Sequence, residues 1–289
     1  MTDPASTDSS PPSFLPKDSP HSAEARSAEA RVPETHRDQG RTVYYFGDSQ
    51  PILEKLGFLS GKPSAPATEH LPGRTQHPVY SISNSEKYMW KLCRRGGFLS
   101  RFNRKTYFST RRFVEELILS DRLHRSGIPS SRVLAFSATR MGLGFEVAQI
   151  IQLEENVVSI SDLLGIEKSP PARPQVRSTG ELIHRFHSAG FLHGDLNLMN
   201  IMVNADPSAP VKSLLVDLDP GSVPPGANRT GNLARLARSY AKIIDKGGTR
   251  LTAGDRFRFL YCATGGDRTL LKAALKQCLP HLPERERSR

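Results

Sequence analysis

The sequence predicts an α+β protein of two lobes, a small β-rich N-lobe with one main helix and a helical C-lobe. Three observations predict it. Strand-type runs crowd residues 78–153, interrupted by a single stretch of helical periodicity. Helical periodicity dominates after residue 176. Between the last strand-like run and the final helices lie a short polar loop and a small hairpin. The expected division is a disordered acidic segment over 1–40, an N-lobe over 41–155 and a C-lobe over 156–289.

Residues 1–40 are rich in Ser, Pro, Ala and acidic side chains and nearly lack large apolar ones. Such a segment buries too little surface to offset its ordering entropy, so disorder is expected. Val43 to Phe46 is expected as a short strand, and Pro63 to Pro66 as a loop. Pro78–Ile82 and Lys87–Cys93 read as strands around a turn at Asn84-Ser85. Phe113, Val114, Leu117, Ile118 and Leu123 recur at helical spacing over 111–126. Gly127 then stands where a helix ends, and Pro129 prevents continuation. Val133–Phe136 and Phe145–Leu153 are further strands, and 161–164 begins a short helix. A second clear helix over 176–189 carries Leu182, Ile183 and Phe186 and is closed by Gly190. Ile201–Val203 and Ser213–Leu218 form the hairpin, turning through Ala205 to Pro210. Helices over 230–245, 252–262 and 267–278 complete the chain.

Charge is unevenly spread. The net charge is +11, but residues 1–40 carry −3 and the remainder +14. A basic folded region favours an anionic partner, such as nucleotide phosphates, nucleic acid or an acidic membrane surface. No aromatic-basic nucleic-acid motif appears, so nucleic acid is not the expected partner. Cys93, Cys262 and Cys278 stand far apart with no C-x-x-C pair, which suits a reducing compartment. No run approaches the roughly 18 apolar residues that span a bilayer, and no signal peptide is recognisable. A soluble or peripheral protein is expected.

The loop His193-Gly194-Asp195-Leu196-Asn197-Leu198-Met199-Asn200 carries the chemistry. Phosphoryl transfer needs cations against the phosphates and a positioned group that accepts the attacking hydroxyl. Kinase-like loops supply these with an Asp, an Asn five residues on, and a further Asp after the next strand. Asp195, Asn200 and Asp217 have that pattern, with His193 two residues before Asp195. Asp195 is the expected catalytic residue, hydrogen-bonding the acceptor hydroxyl. Asn200 and Asp217 offer hard oxygens suited to Mg²⁺.

Lys91, on a strand before the first good helix, is the expected phosphate cation, with Arg94 and Arg95 as rivals. Its partner carboxylate comes from the helix at 111–126, where Glu115 and Glu116 both qualify and Glu116 is preferred. Gly73 is a weak candidate for a nucleotide-covering loop. His184 and His187, three apart on one helix, are expected to pack against the loop rather than hold a metal.

Several stretches resemble the lipopolysaccharide core kinases, specifically the 3-deoxy-D-manno-octulosonic acid (Kdo) kinases. They are Trp90 to Gly97 with its Arg-Arg-Gly-Gly, Thr110 to Phe113, His193 to Asn197, Val216 to Gly221, and Asn232 to Ser239. The likeness covers about residues 71–245, departing at Leu218 and Cys93. It implies a bilobal protein-kinase-like fold and transfer of the γ-phosphate of ATP, with Mg²⁺, to a hydroxyl of Kdo on a lipid A precursor. It also implies a peripheral position at the cytoplasmic face of the bacterial inner membrane. A heptose or other small-molecule kinase, an atypical protein kinase and a non-enzymatic binder are the competing classes. Only a dozen residues separate Asp217 from the next helix, which leaves no long peptide-docking loop. Retention of Asp195, Asn200 and Asp217 together weighs against a non-enzymatic binder.

Overall fold

The computed structural model describes residues 31–71, 76–83, 86–94, 106–206, 208–220, 223–224 and 226–284. Gly73, Arg95, the Asn84-Ser85 turn and residues 1–30 lie outside these.

Seven strands form one antiparallel sheet: β1 (Glu34–Asp38), β2 (Arg41–Tyr45), β3 (Glu69–Leu71), β4 (His77–Ser83), β5 (Glu86–Leu92), β6 (Arg132–Met141) and β7 (Gly144–Gln152). Their order is β1-β2-β6-β7-β5-β4-β3. Expected disorder through residue 40 is corrected here, because β1 pairs with β2 from Glu34↔Tyr45 to Asp38↔Arg41. The pairing satisfies backbone groups without burying side chains; all five β1 residues are exposed. A short helix, α1 (Gln50–Leu56), was also not foreseen; it buries Leu53 and Leu56 under the sheet.

The main helix of this region is α2 (Arg111–Arg125), at its predicted position. It serves two cores. Phe113 and Leu117 pack with Phe136, Val147 and Ile151 of the large sheet. Leu119 and Leu123 pack with Ile183, Phe186 and Leu215 beyond it. Gly127, at φ 61°, ends the helix in the left-handed conformation that only glycine adopts without strain. Buried Ser120 clamps α2 to β6, its hydroxyl accepting from Val133 N (2.8 Å) and donating to Ser131 O (3.2 Å).

The rest is mainly helical. Strands β8 (Val157–Ser159), β9 (Ile201–Asn204) and β10 (Ser213–Leu215) make a small antiparallel sheet ordered β10-β9-β8. Helices α3 (Ile160–Leu163), α4 (Arg173–Ser188), α5 (Arg229–Asp245), α6 (Ala253–Ala263) and α7 (Arg268–Cys278) surround it. Helix α4 starts three residues before its predicted position and takes in Pro174, which fits a first turn whose N–H groups lack helical partners. Asn228, Thr252 and Asp267 cap α5, α6 and α7 with side-chain oxygens. The two regions are stitched together where Ser131 N donates to Leu215 O (2.7 Å) and Leu215 N to Pro129 O (3.2 Å). Among the described residues no helix is long and apolar enough to cross a membrane.

Candidate active site

The loop 193–200 is held from below by α5. Asn232 accepts from His193 N (3.0 Å) and donates to His193 O (3.1 Å). Ser239, two turns on along the same helix face, accepts from Leu198 N (3.1 Å). Leu196 and Leu198 insert into the helical core. His193 is buried; its Nδ1 accepts from Asp195 N (3.2 Å) and its Nε2 faces Val216 O (3.4 Å). Those partners require the neutral Nε2–H tautomer, and burial lowers its pKa in the same sense. His187 is buried beside Asn232 (3.3 Å), its pKa pushed down by burial to about 4. The expected packing against the loop is corrected: His187 meets Asn232 of α5, and His184 lies against Gly265.

Asn197 shapes the loop's exit. Its Oδ1 accepts from Met199 N (2.9 Å) and Asn200 N (3.2 Å), and its Nδ2 donates to Asp195 O (3.1 Å) and Oδ2 (3.3 Å). Asn200 spends its Nδ2 on Asp195 O (3.0 Å), which leaves its amide oxygen as the atom available to a cation. Asn200 O in turn accepts from Val216 N (3.0 Å), setting the backbone just before Asp217. Asp217 has φ 50°, a conformation uncommon outside glycine and one that marks functional turns.

Asp217 receives Lys91 Nζ at 2.8 Å. Burial opposes charge on both groups, yet each outweighs it for the other. Lys91 rises above the usual lysine value and Asp217 falls below the usual carboxylate range. The expected ion pair between Lys91 and a carboxylate of α2 is therefore corrected: Lys91 bonds Asp217. Of the two candidates, Glu115 turns outward to Arg111 (2.7 Å). Glu116 is buried and accepts instead from Gln149 Nε2 (2.9 Å). Burial raises its pKa to about 7.

Lys91, Glu116, Asp195, Asn200 and Asp217 all line one cleft of about 940 Å³ between the sheet and the helical region. Arg94, Arg112 and Asp219 line it too, with Arg112 3.7 Å from Asp219. A second, less polar cleft of about 480 Å³ shares Asp217 and is walled by Met89, Ile151, Met202 and Leu214, with the connecting residues 153–156 at its edge. Gln149, Arg112, Asn232 and the apolar walls of this second cleft are not among the site residues expected from the sequence. Asn232 and Arg112 stood inside quoted motifs; Gln149 carried no local signal, since its role arises from strand register opposite Lys91.

The donor chemistry suits a hard divalent cation. Asp217 and Asn200 present oxygens to the same cleft. Among the described residues no group of three or more His, Cys, Asp or Glu forms a cage, so phosphate and water would complete the coordination.

The model of the lipopolysaccharide kinase (Kdo/WaaP) family matches residues 73–261. The chain is 37% identical over 158 residues to a 3-deoxy-D-manno-octulosonic acid kinase of Xanthomonas campestris pv. campestris (strain B100), covering 52% of this chain and 60% of that protein. It is 35% identical over 168 residues to one of Actinobacillus succinogenes, covering 56% and 68%. The chain thus spans about 60% of the length of the first of these relatives. Among solved structures it is similar to WaaP in complex with acyl carrier protein, at 16% identity and TM-score 0.44, over 78% of this chain and 91% of that one. The chain belongs to the lipopolysaccharide kinase (Kdo/WaaP) family.

Proposed function

We propose that this protein is an ATP- and Mg²⁺-dependent kinase that phosphorylates a hydroxyl of a Kdo residue on a lipid A precursor, at an anionic membrane surface. The observation that carries the reading is the convergence of Asp195, Asn200, Asp217 and Lys91 on one cleft, drawn from segments up to 126 residues apart. Residues 41–155 act as the nucleotide-binding lobe and 156–289 as the catalytic lobe. The apolar walls of the second cleft, Met89, Ile151, Met202 and Leu214, suit a flat nucleotide base beside the connecting segment.

Lys91 and Arg112 neutralise phosphate oxygens, and Asp217 and Asn200 would hold the cation. A cation bound there would supply positive charge against the phosphate oxygens. Asp195 accepts the hydrogen bond of the acceptor hydroxyl and then its proton, while Asn197 fixes the carboxylate. The hydroxyl oxygen forms its bond to the γ-phosphorus as the bond to the departing ADP oxygen breaks.

Asp195→Ala tests this directly. Transfer of label from ATP to the Kdo-lipid acceptor should fall at least about 100-fold, the lower range for loss of a positioned base, with the thermal unfolding transition preserved. Activity of the variant within about tenfold of wild type, in magnesium-containing buffer, would remove Asp195 from its assigned role.

A further inference from the structure

Arg235 lies on α5 between the two residues that anchor the loop, three positions after Asn232 and four before Ser239, so all three share one helix face. Asn232 and Ser239 are committed to loop backbone. Arg235 is not. Its Nη1 stands 3.8 Å from Asp195 Oδ1, inside ion-pair range but beyond hydrogen-bond length. Among the described residues no acceptor takes a hydrogen bond from its guanidinium. The side chain is 34% exposed and that of Asp195 67%, so solvent reaches both.

Position decides what this cation can serve. Asp195 lines the phosphate cleft together with Lys91 and Arg112, whereas Arg235 does not line it. The guanidinium therefore stands outside the lining of the cleft that Lys91 and Arg112 share, next to Asp195. A molecule that places a hydroxyl on Asp195 brings its neighbouring substituents within the width of one sugar ring of Arg235. A planar guanidinium with unused donors matches a carboxylate bidentately, and a second anion there also relieves its incomplete pairing with Asp195.

We infer that Arg235 binds the carboxylate of the acceptor sugar and makes the site selective for an acidic sugar over a neutral one. This rests on the proposed function, since Kdo is the acidic sugar invoked there. Helix α5 then does two things with one face: it fixes the catalytic loop and measures the distance from the reacting hydroxyl to the acid group.

The test compares wild type, Arg235→Gln and Arg235→Lys on two acceptors, the Kdo-bearing lipid A precursor and the same compound with its Kdo carboxyl reduced to an alcohol. A charge-assisted bond of this kind corresponds to about 10- to 100-fold in affinity. The Gln variant should raise the acceptor KM by about tenfold or more on the intact acceptor and by less than about twofold on the reduced one. Its KM for ATP should stay at the wild-type value, and the Lys variant should recover part of the loss. Equal losses on both acceptors, or a fall in kcat with acceptor KM unchanged, would overturn the inference. If wild type phosphorylates neither acceptor, the proposed function itself fails and this inference with it.

Discussion

At the scale of single residues, the cleft holds both a paired and an unpaired buried charge. Lys91 and Asp217 hold each other charged, but among the described residues buried Glu116 has only the amide of Gln149 as a hydrogen-bond donor. Burial lifts its pKa from an ordinary 4.5 to about 7. The folded state then binds more protons than the unfolded chain between those two values. Stability is fully present below about pH 4.5 and declines as pH rises towards 7, by about 3 kcal/mol at most. Glu116→Gln removes the titration. Its unfolding free energy should be flatter across pH 5–8 than that of wild type and higher than wild type at pH 8, measured by denaturant titration. A wild-type curve parallel to that of the variant would show that Glu116 does not titrate in this window.

The residues legible in the sequence were those whose chemistry is encoded in short spacing. Asp195 and Asn200 stand five apart in one loop, and Asp217 follows a hydrophobic strand; the structure gathers all three in one cleft. Lys91 was legible as a strand lysine, but its partner was not, because Asp217 reaches it across 126 residues. Gln149 was illegible for the same reason, and Arg235 stood inside the quoted Asn232–Ser239 stretch with no role attached. Each acquires meaning only from what a distant element brings opposite it.

At the scale of elements, periodicity placed the long helices and the central strands to within a few residues. It missed β1, β3, β8 and α1, which have three to seven residues each. Such pieces are too short for a period to show, and β1 has no buried face to impose one. Helix contacts are equally specific. Gly180 of α4 faces α6 so closely that an added Cβ would meet Cys262 Cβ at 2.7 Å and Phe259 O at 2.8 Å. Gly180→Ala should cost about 1–3 kcal/mol, the usual range for overpacking, read from the denaturation midpoint. An unchanged midpoint would mean the α4–α6 contact yields without cost. Helix α5 makes a parallel case: Asn232→Ala leaves buried backbone groups of His193 without partners. It should cost about 2–3 kcal/mol and reduce transfer, because the loop that holds Asp195 loses its anchor.

At the scale of the whole molecule, the two regions meet along one cleft, with α2 packed into both cores and Glu116 pointing between them. The sequence showed the bilobal order because strand-type and helix-type patterns fall in separate halves. It did not show that α2 belongs to both. The charge of +14 beyond residue 40 favours an anionic partner, and an acidic lipid surface is the one proposed. Sedimentation with vesicles should therefore be stronger on anionic than on neutral lipid and weaken as salt rises. Equal binding to both vesicle types would assign the charge another purpose.

The proposed reaction is phosphoryl transfer to an acidic sugar on a lipid. One measurement addresses it most directly: γ-labelled ATP offered with a Kdo-bearing lipid A precursor, a heptose-bearing core, an aminoglycoside and a generic protein in parallel. Label should appear in the Kdo-bearing acceptor and depend on Mg²⁺. Label in the protein or the aminoglycoside, with none in the Kdo-bearing lipid, would contradict it.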